Sequence, residues 1–117
     1  MPAIAFALPI LPGQEELIKR LGGEVSGSGP LRSAYEGSRR SLGLTEEKVW
    51  LQQTPIGQMI VVYWETDDPQ RALREMAESQ DQFDNQFKQL IETAAPALNF
   101  SDQQPLPNKL LFEWSAG

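Results

Sequence analysis

Cysteine and histidine are both absent from the 117 residues. Without cysteine there is no disulfide, no thiolate nucleophile and no thiolate metal ligand. Without histidine there is no Ser-His-Asp triad and no imidazole for haem or zinc. Basic residues are scarce: 10 Lys and Arg against 16 Asp and Glu leave a net charge of −6. That balance repels phosphate backbones, and no Lys/Arg cluster offsets it, so no nucleic-acid partner is expected. Long apolar runs are missing too. Nothing approaches the roughly 20 residues of a membrane span, so no membrane is expected either. The apolar start, Met1 to Pro12, has no leading Lys or Arg and is interrupted by Pro2, Pro9 and Pro12. It reads as a buried strand rather than a signal peptide. Asn99-Phe100-Ser101 matches a glycosylation acceptor, but nothing else suggests secretion, and the expectation is a soluble, cytoplasmic protein.

What is present suits one domain spanning residues 1–117. Hydrophobic residues make up 40% and charged residues 22%, enough for a core without metal or disulfide staples. Ala3 to Ile10 reads as a first strand, closed by a Pro12-Gly13 turn. From Gln14 the period becomes helical, with Leu17, Ile18 and Leu21 on one face and Gly22-Gly23 as the stop. Val25 to Gly29 reads as a flexible loop. A second helix opens at Pro30 behind Ser28 or Gly29, and Gly43 is its expected C-cap. Thr45 is expected to cap a single turn over Glu46 to Lys48. Val49 to Thr54 and Gln58 to Glu65 then flank Pro55-Ile56-Gly57 as a hairpin. Asp68-Pro69 starts a further helix, and Ser79-Gln80-Asp81-Gln82 matches a capping box that restarts it as far as Pro96. Asn99 to Asn108 is a polar connector, and Leu110 to Trp114 reads as the last strand.

The order is β-α-β-β-α-β with both helices broken. The expected fold is therefore α+β and ferredoxin-like, with a four-stranded antiparallel sheet. In such a domain the helices cover one sheet face, and strands should alternate apolar with polar. Met59 to Trp64 and Ala3 to Leu8 do not alternate. Both faces are therefore expected to be covered, the second by another copy of the chain in a homodimer.

Trp50-Leu51-Gln52-Gln53-Thr54-Pro55, Val61-Val62-Tyr63-Trp64-Glu65, Asp67-Asp68-Pro69, Asp81-Gln82-Phe83-Asp84 and Phe112-Glu113-Trp114 occur in that order. Together they resemble an uncharacterised family of small bacterial proteins in the dimeric α+β barrel superfamily. The likeness covers nearly the whole chain, and its motifs are structural. It implies a back-to-back dimer of four-stranded sheets. The superfamily also contains cofactor-independent monooxygenases, haem-degrading enzymes and ligand-binding regulatory domains. Several of those enzymes use a histidine that this chain does not have. Where similar sequences often carry one, near the end of the last helix, Ala94 and Ala95 stand here. No catalytic residue carries over.

Alternation sorts the sheet into a bulky face and a face of small residues and polar heads. The bulky face holds Ile4, Phe6, Leu8, Ile60, Val62, Trp64, Leu110, Phe112 and Trp114. The other holds Ala3, Ala5, Ala7, Val61, Tyr63, Glu65, Leu111 and Glu113, joined by Trp50 and Gln52 if Gln53 pairs with Gln58. Space plus a few polar heads is the composition of a ligand pocket, so Trp50, Gln52, Tyr63, Glu65 and Glu113 are the candidate ligand-binding residues. Alternatively, the alanines serve only close packing and the polar heads sit at strand ends or in a dimer seam. Glu113, if buried, is a candidate proton acceptor; on an edge strand it is an ordinary exposed carboxylate. Asp67, Asp68, Asp81 and Asp84 suit helix starts better than a metal site. Arg32, Arg39 and Arg40 read as a solvated helix face paired with Glu36, or as a receptor for an anion. No cofactor and no metal are expected. Three functions follow: a homodimeric domain holding a small apolar or aromatic ligand in a pocket against the sheet, a cofactor-independent monooxygenase-type enzyme, and a plain dimerisation module.

Overall fold

The computed structural model describes residues 2–96 and 109–117. Three strands, β1 (Ala3–Pro9), β2 (Leu44–Thr54) and β3 (Gly57–Thr66), form an antiparallel sheet in the order β1-β3-β2. Four helices, α1 (Glu15–Ser26), α2 (Pro30–Ser41), α3 (Pro69–Glu78) and α4 (Gln82–Ala94), sit in pairs after β1 and after β3. The helices share one face of the sheet. Burial along β1 therefore alternates strictly, with Ile4, Phe6 and Leu8 buried and Ala3, Ala5 and Ala7 exposed. Ile60, Val62 and Trp64 on β3 and Ala72, Met76, Ile91 and Ala94 on the helices complete the core. Trp64 is fully buried, and its indole meets the Phe6 ring edge-on at 5.9 Å.

The hairpin forms as its sequence predicts, and Gln53 does oppose Gln58. Thr54 closes it, donating its hydroxyl to the Gly57 carbonyl at 2.6 Å and accepting from the Ile56 amide. Gly43 ends α2 at φ +79°, a left-handed conformation that side chains resist. A Cβ there would also meet the Arg71 guanidinium at 3.2 Å.

The ferredoxin-like expectation fails at its last strand. Among the described residues the sheet has three strands, and Leu110 to Trp114 pairs with none of them. Leu110, Leu111, Phe112 and Trp114 lie in irregular chain and are 72–84% exposed. An alternating apolar run supplies only a pattern, whereas a strand also needs a hydrogen-bonded partner edge. Three smaller corrections share one cause, that tertiary packing overrides local propensity. Helix α1 runs through Gly22-Gly23 to Ser26, so Val25 and Ser26 are helical. Residues 44–48 extend β2, where a helical turn was expected. The cap of α4 is Asp81, which accepts from the Asp84 amide at 3.1 Å, while Ser79 ends α3. The connector expected at Asn99 to Asn108 lies outside the described residues.

Asp81→Ala should therefore cost about 1 kcal/mol in urea unfolding, the usual value of an N-cap. Gln82→Ala should cost a few tenths of that. Equal losses would restore the capping box read from Ser79 and Gln82.

Candidate functional site

Helix α2 places Tyr35, Ser38 and Arg39 on one face, at the i, i+3, i+4 spacing. Opposite them, β2 and β3 align Glu47 with Trp64 across the ladder, so both side chains enter the helix side of the sheet. Helix α4 adds Phe83, Asp84 and Phe87. These residues meet at Arg39, a buried cation. Its guanidinium lies 5.1 Å from the Tyr35 ring centre, 5.7 Å from Phe83 and 4.8 Å from Phe87. Arg39 Nε donates to Glu47 Oε1 at 2.8 Å, and Nη1 donates to Ser38 Oγ at 2.9 Å. Nη1 is also 3.7 Å from the Asp84 carboxylate.

Glu47 accepts two further hydrogen bonds, from the Tyr35 hydroxyl at 2.7 Å and from Trp64 Nε1 at 2.6 Å. Asp84 accepts from the Ser38 hydroxyl and from the Ser79 hydroxyl. The side chains of Arg39 and Glu47 are only 8% and 5% exposed. Ions buried this deeply are tolerable only when paired and hydrogen-bonded, and both conditions hold here. Burial, and then the Glu47 charge and hydrogen bond, push the Tyr35 phenol up to about 12. It stays protonated at neutral pH.

Next to this cluster is a cavity of about 90 Å³ between the helices and the sheet. Ile18, Leu21 and Val25 of α1 line one side, and Val49, Ile60 and Val62 line the sheet side. Phe83, Phe87 and Ile91 close it from α4, and Tyr35, Arg39 and Glu47 supply its polar wall. The space is partly open beside half-exposed Val49. An apolar recess with a few fixed polar groups is what a small-molecule site requires. No group of three or more acidic side chains able to hold a metal occurs among the described residues.

The residues singled out from the sequence are on the other side. Trp50, Gln52, Tyr63 and Glu65 share the sheet face turned away from the helices, where Trp50 opposes Val61 and Gln52 opposes Met59. The Tyr63 hydroxyl donates to Glu65 Oε2 at 2.9 Å, a bond that raises the phenol pKa, with burial adding to it. Lys48, 2.9 Å from Glu46 on the same face, holds that carboxyl below its ordinary range. Four of the five thus share a face, but they are spread along it: Tyr63 touches Glu65, whereas Gln52 and Glu65 lie six ladder positions apart. Glu113 is in the irregular segment 109–117, exposed and away from any strand. Arg39, expected on a solvated face, is the buried centre of the cluster, whereas Arg32 and Arg40 do pair with Glu36 at 3.2 and 3.6 Å.

Sequence reading missed the cluster, though signals existed. Arg39 belongs to the same helical stripe as Tyr35, Ser38 and Leu42. Glu47, read as strand, has the parity of Val49 and Leu51 and so faces inward. Compared with family models, curated proteins and solved structures, the chain matches none.

Removing Glu47 strands a buried guanidinium. Glu47→Ala should cost about 3–5 kcal/mol in urea unfolding, and a loss below 1 kcal/mol would contradict the burial. The raised Tyr35 pKa also has a sign. The folded state favours the neutral phenol, so this stabilisation is complete below the unfolded value near 10 and disappears as pH rises towards about 12. The stability difference between the native chain and Tyr35→Phe should accordingly shrink over that interval and stay flat below it. A difference constant across the interval would refute the coupling.

Proposed function

We propose that this chain is a homodimeric domain that holds a small, largely apolar molecule against its sheet, in the cavity on the helix side. The observation that carries this is the pairing of an apolar void with a rigid polar wall. Tyr35, Arg39 and Glu47 form that wall, fixed by hydrogen bonds and ring contacts that fold the protein in any case. The charges on the cavity wall cancel each other: Arg39 is paired with Glu47 at 2.8 Å, and Asp84 does not line the space. A charged ligand would have to leave water for an apolar space without an unpaired counter-ion, which is costly. The favoured ligand is uncharged and compact, a hydrocarbon ring or short chain with at most one hydroxyl.

Dimerisation is the second half of the proposal. The face away from the helices presents Ala3, Ala5 and Ala7 on one side and half-exposed Trp50 on the other, with Val61 and Tyr63 between. A two-fold axis sets the Trp50 of each copy against the alanine floor of the other, the self-complementary arrangement that an isologous interface needs. In it, Trp50, Gln52, Tyr63 and Glu65 belong to the seam.

Phenol is the probe for the cavity. In titrations followed by the indole N–H resonance of Trp64, which reports on Glu47, phenol should shift that signal saturably. Val49→Phe fills the cavity from a half-exposed strand position and should weaken the binding at least fivefold, with the melting temperature little changed. Equal binding by both chains would sink the cavity as the site. For the dimer, light scattering should give about twice the 13.1 kDa chain mass at micromolar concentration. Ala5→Glu, which buries a carboxylate against the partner's Trp50, should return it to the single-chain mass. A single-chain mass for the unmodified protein would overturn the dimer.

A further inference from the structure

Outside the cavity, a second apolar hollow of about 200 Å³ lies between α1, α2 and α4. The two share Leu21, Phe83 and Phe87 as lining residues, so they occupy opposite sides of a single partition. Leu21 belongs to α1, a lightly anchored helix. Only Ile18 among its twelve residues is buried. Gln14 at its start makes no side-chain cap, and no basic side chain complements its last turn. Gly22 and Gly23 interrupt its interior, where glycine weakens a helix relative to alanine. Gly27-Ser28-Gly29 then gives slack before α2. Its first residues, by contrast, follow an anchored segment, with the Leu11 amide bonded to the Ala94 carbonyl at 2.8 Å. One directed bond ties down its far end: Arg32 Nη1 of α2 donates to the Val25 carbonyl at 2.9 Å.

We propose that the second half of α1, residues 21–26, is the gate of the ligand cavity, opening by unwinding around Gly22-Gly23 and latched by Arg32, and that ligands pass from the outer hollow through the partition at Leu21. This rests on the reading of the cavity as the ligand site. Leu21, Gly22 and Val25 line the inner space, so unwinding this half-helix removes a wall without disturbing the polar cluster. Ligands then enter and leave through an opening equilibrium set by local helix stability. Changing that equilibrium scales association and dissociation together and leaves the affinity nearly constant.

Two substitutions push the gate in opposite directions. Gly23 is exposed, and a Cβ there meets nothing within 4 Å, so Gly23→Ala should favour the closed helix. Amide hydrogen exchange of residues 21–26 should slow about threefold to fivefold, with exchange in α4 unchanged. Arg32→Met removes the latch and should speed the same amides a few-fold. Phenol association and dissociation rates, read by exchange-broadened spectra, should follow both changes with the dissociation constant altered less than twofold. Exchange of residues 21–26 as slow as that of α4 in the native chain would overturn the gate. Unchanged phenol rates in a Gly23→Ala chain whose α1 exchange has slowed would also overturn it. Absence of phenol binding in the native chain is a different failure, since it refutes the ligand reading and with it the role of the gate.

Discussion

The structure depends on a cation kept out of water. Arg39 reaches across from α2 to the sheet and meets Glu47 at 2.8 Å, and the aromatic rings around it exclude solvent. Desolvating a guanidinium and two carboxylates is expensive, and their mutual attraction offsets it only if nearly every hydrogen-bonding site is used. Here Glu47, on β2, takes three donors from two other elements: the Tyr35 hydroxyl and the Arg39 guanidinium from α2, and the Trp64 indole from β3. Asp84 brings in α4, and through the Ser79 hydroxyl it brings in the end of α3 as well. Apolar packing is tolerant of small slips, whereas this set of directed bonds is not. The cluster therefore sets how α2 and α4 stand on the sheet, and the cavity is the space left beside it.

The sheet itself is one-sided. Apolar side chains of every size are buried beneath the helices, while the opposite face keeps alanine, valine and a few polar heads. An exposed alanine is unremarkable alone, but a row of three beside half-exposed Trp50 forms a flat apolar strip with a protruding ring. Continuous apolar strands led to the expectation of cover on both faces. In the structure the bulk of Ile4, Phe6 and Leu8 lies inward, and the residues that lie outward on β1 are small and exposed. Small residues let a second backbone approach closely, which large ones would prevent.

Much of this was legible from local chemistry. Alternation in β1 separated the two faces, the Gln53–Gln58 pairing fixed the register of the hairpin, and Asp68-Pro69 marked the start of α3 by a cap whose side chain accepts from Arg71. Each of these signals involves residues close in sequence or a strict period. Glu46-Glu47-Lys48 illustrates the limit. Three charged residues after a threonine look like a solvated helical turn, and only Tyr35, Arg39 and Trp64, up to 17 positions away, make Glu47 a buried strand residue. Leu110 to Trp114 fails from the other direction. Its pattern is that of a strand, yet β1 pairs only with β3. Composition can nominate an edge partner, but whether the chain forms the pairing is a long-range property.

The same contrast explains where the cavity lies. Its polar wall is made of side chains whose geometry is determined several times over, and its sheet wall is the core itself. The α1 wall is determined by one buried isoleucine and one arginine bond. The strongly coupled walls cannot close over the space, because such elements relax only partly around a void. The weak wall loses little contact by standing slightly off, so nothing drives it to fill the space. Glycine at positions 22 and 23 contributes directly: a larger side chain at 22 would project towards the space, and a stiffer helix would pack by its own regular stripe. The hollow thus follows from a rigid node at one end and a soft helix at the other, and replacing either would change its volume before it changed the fold.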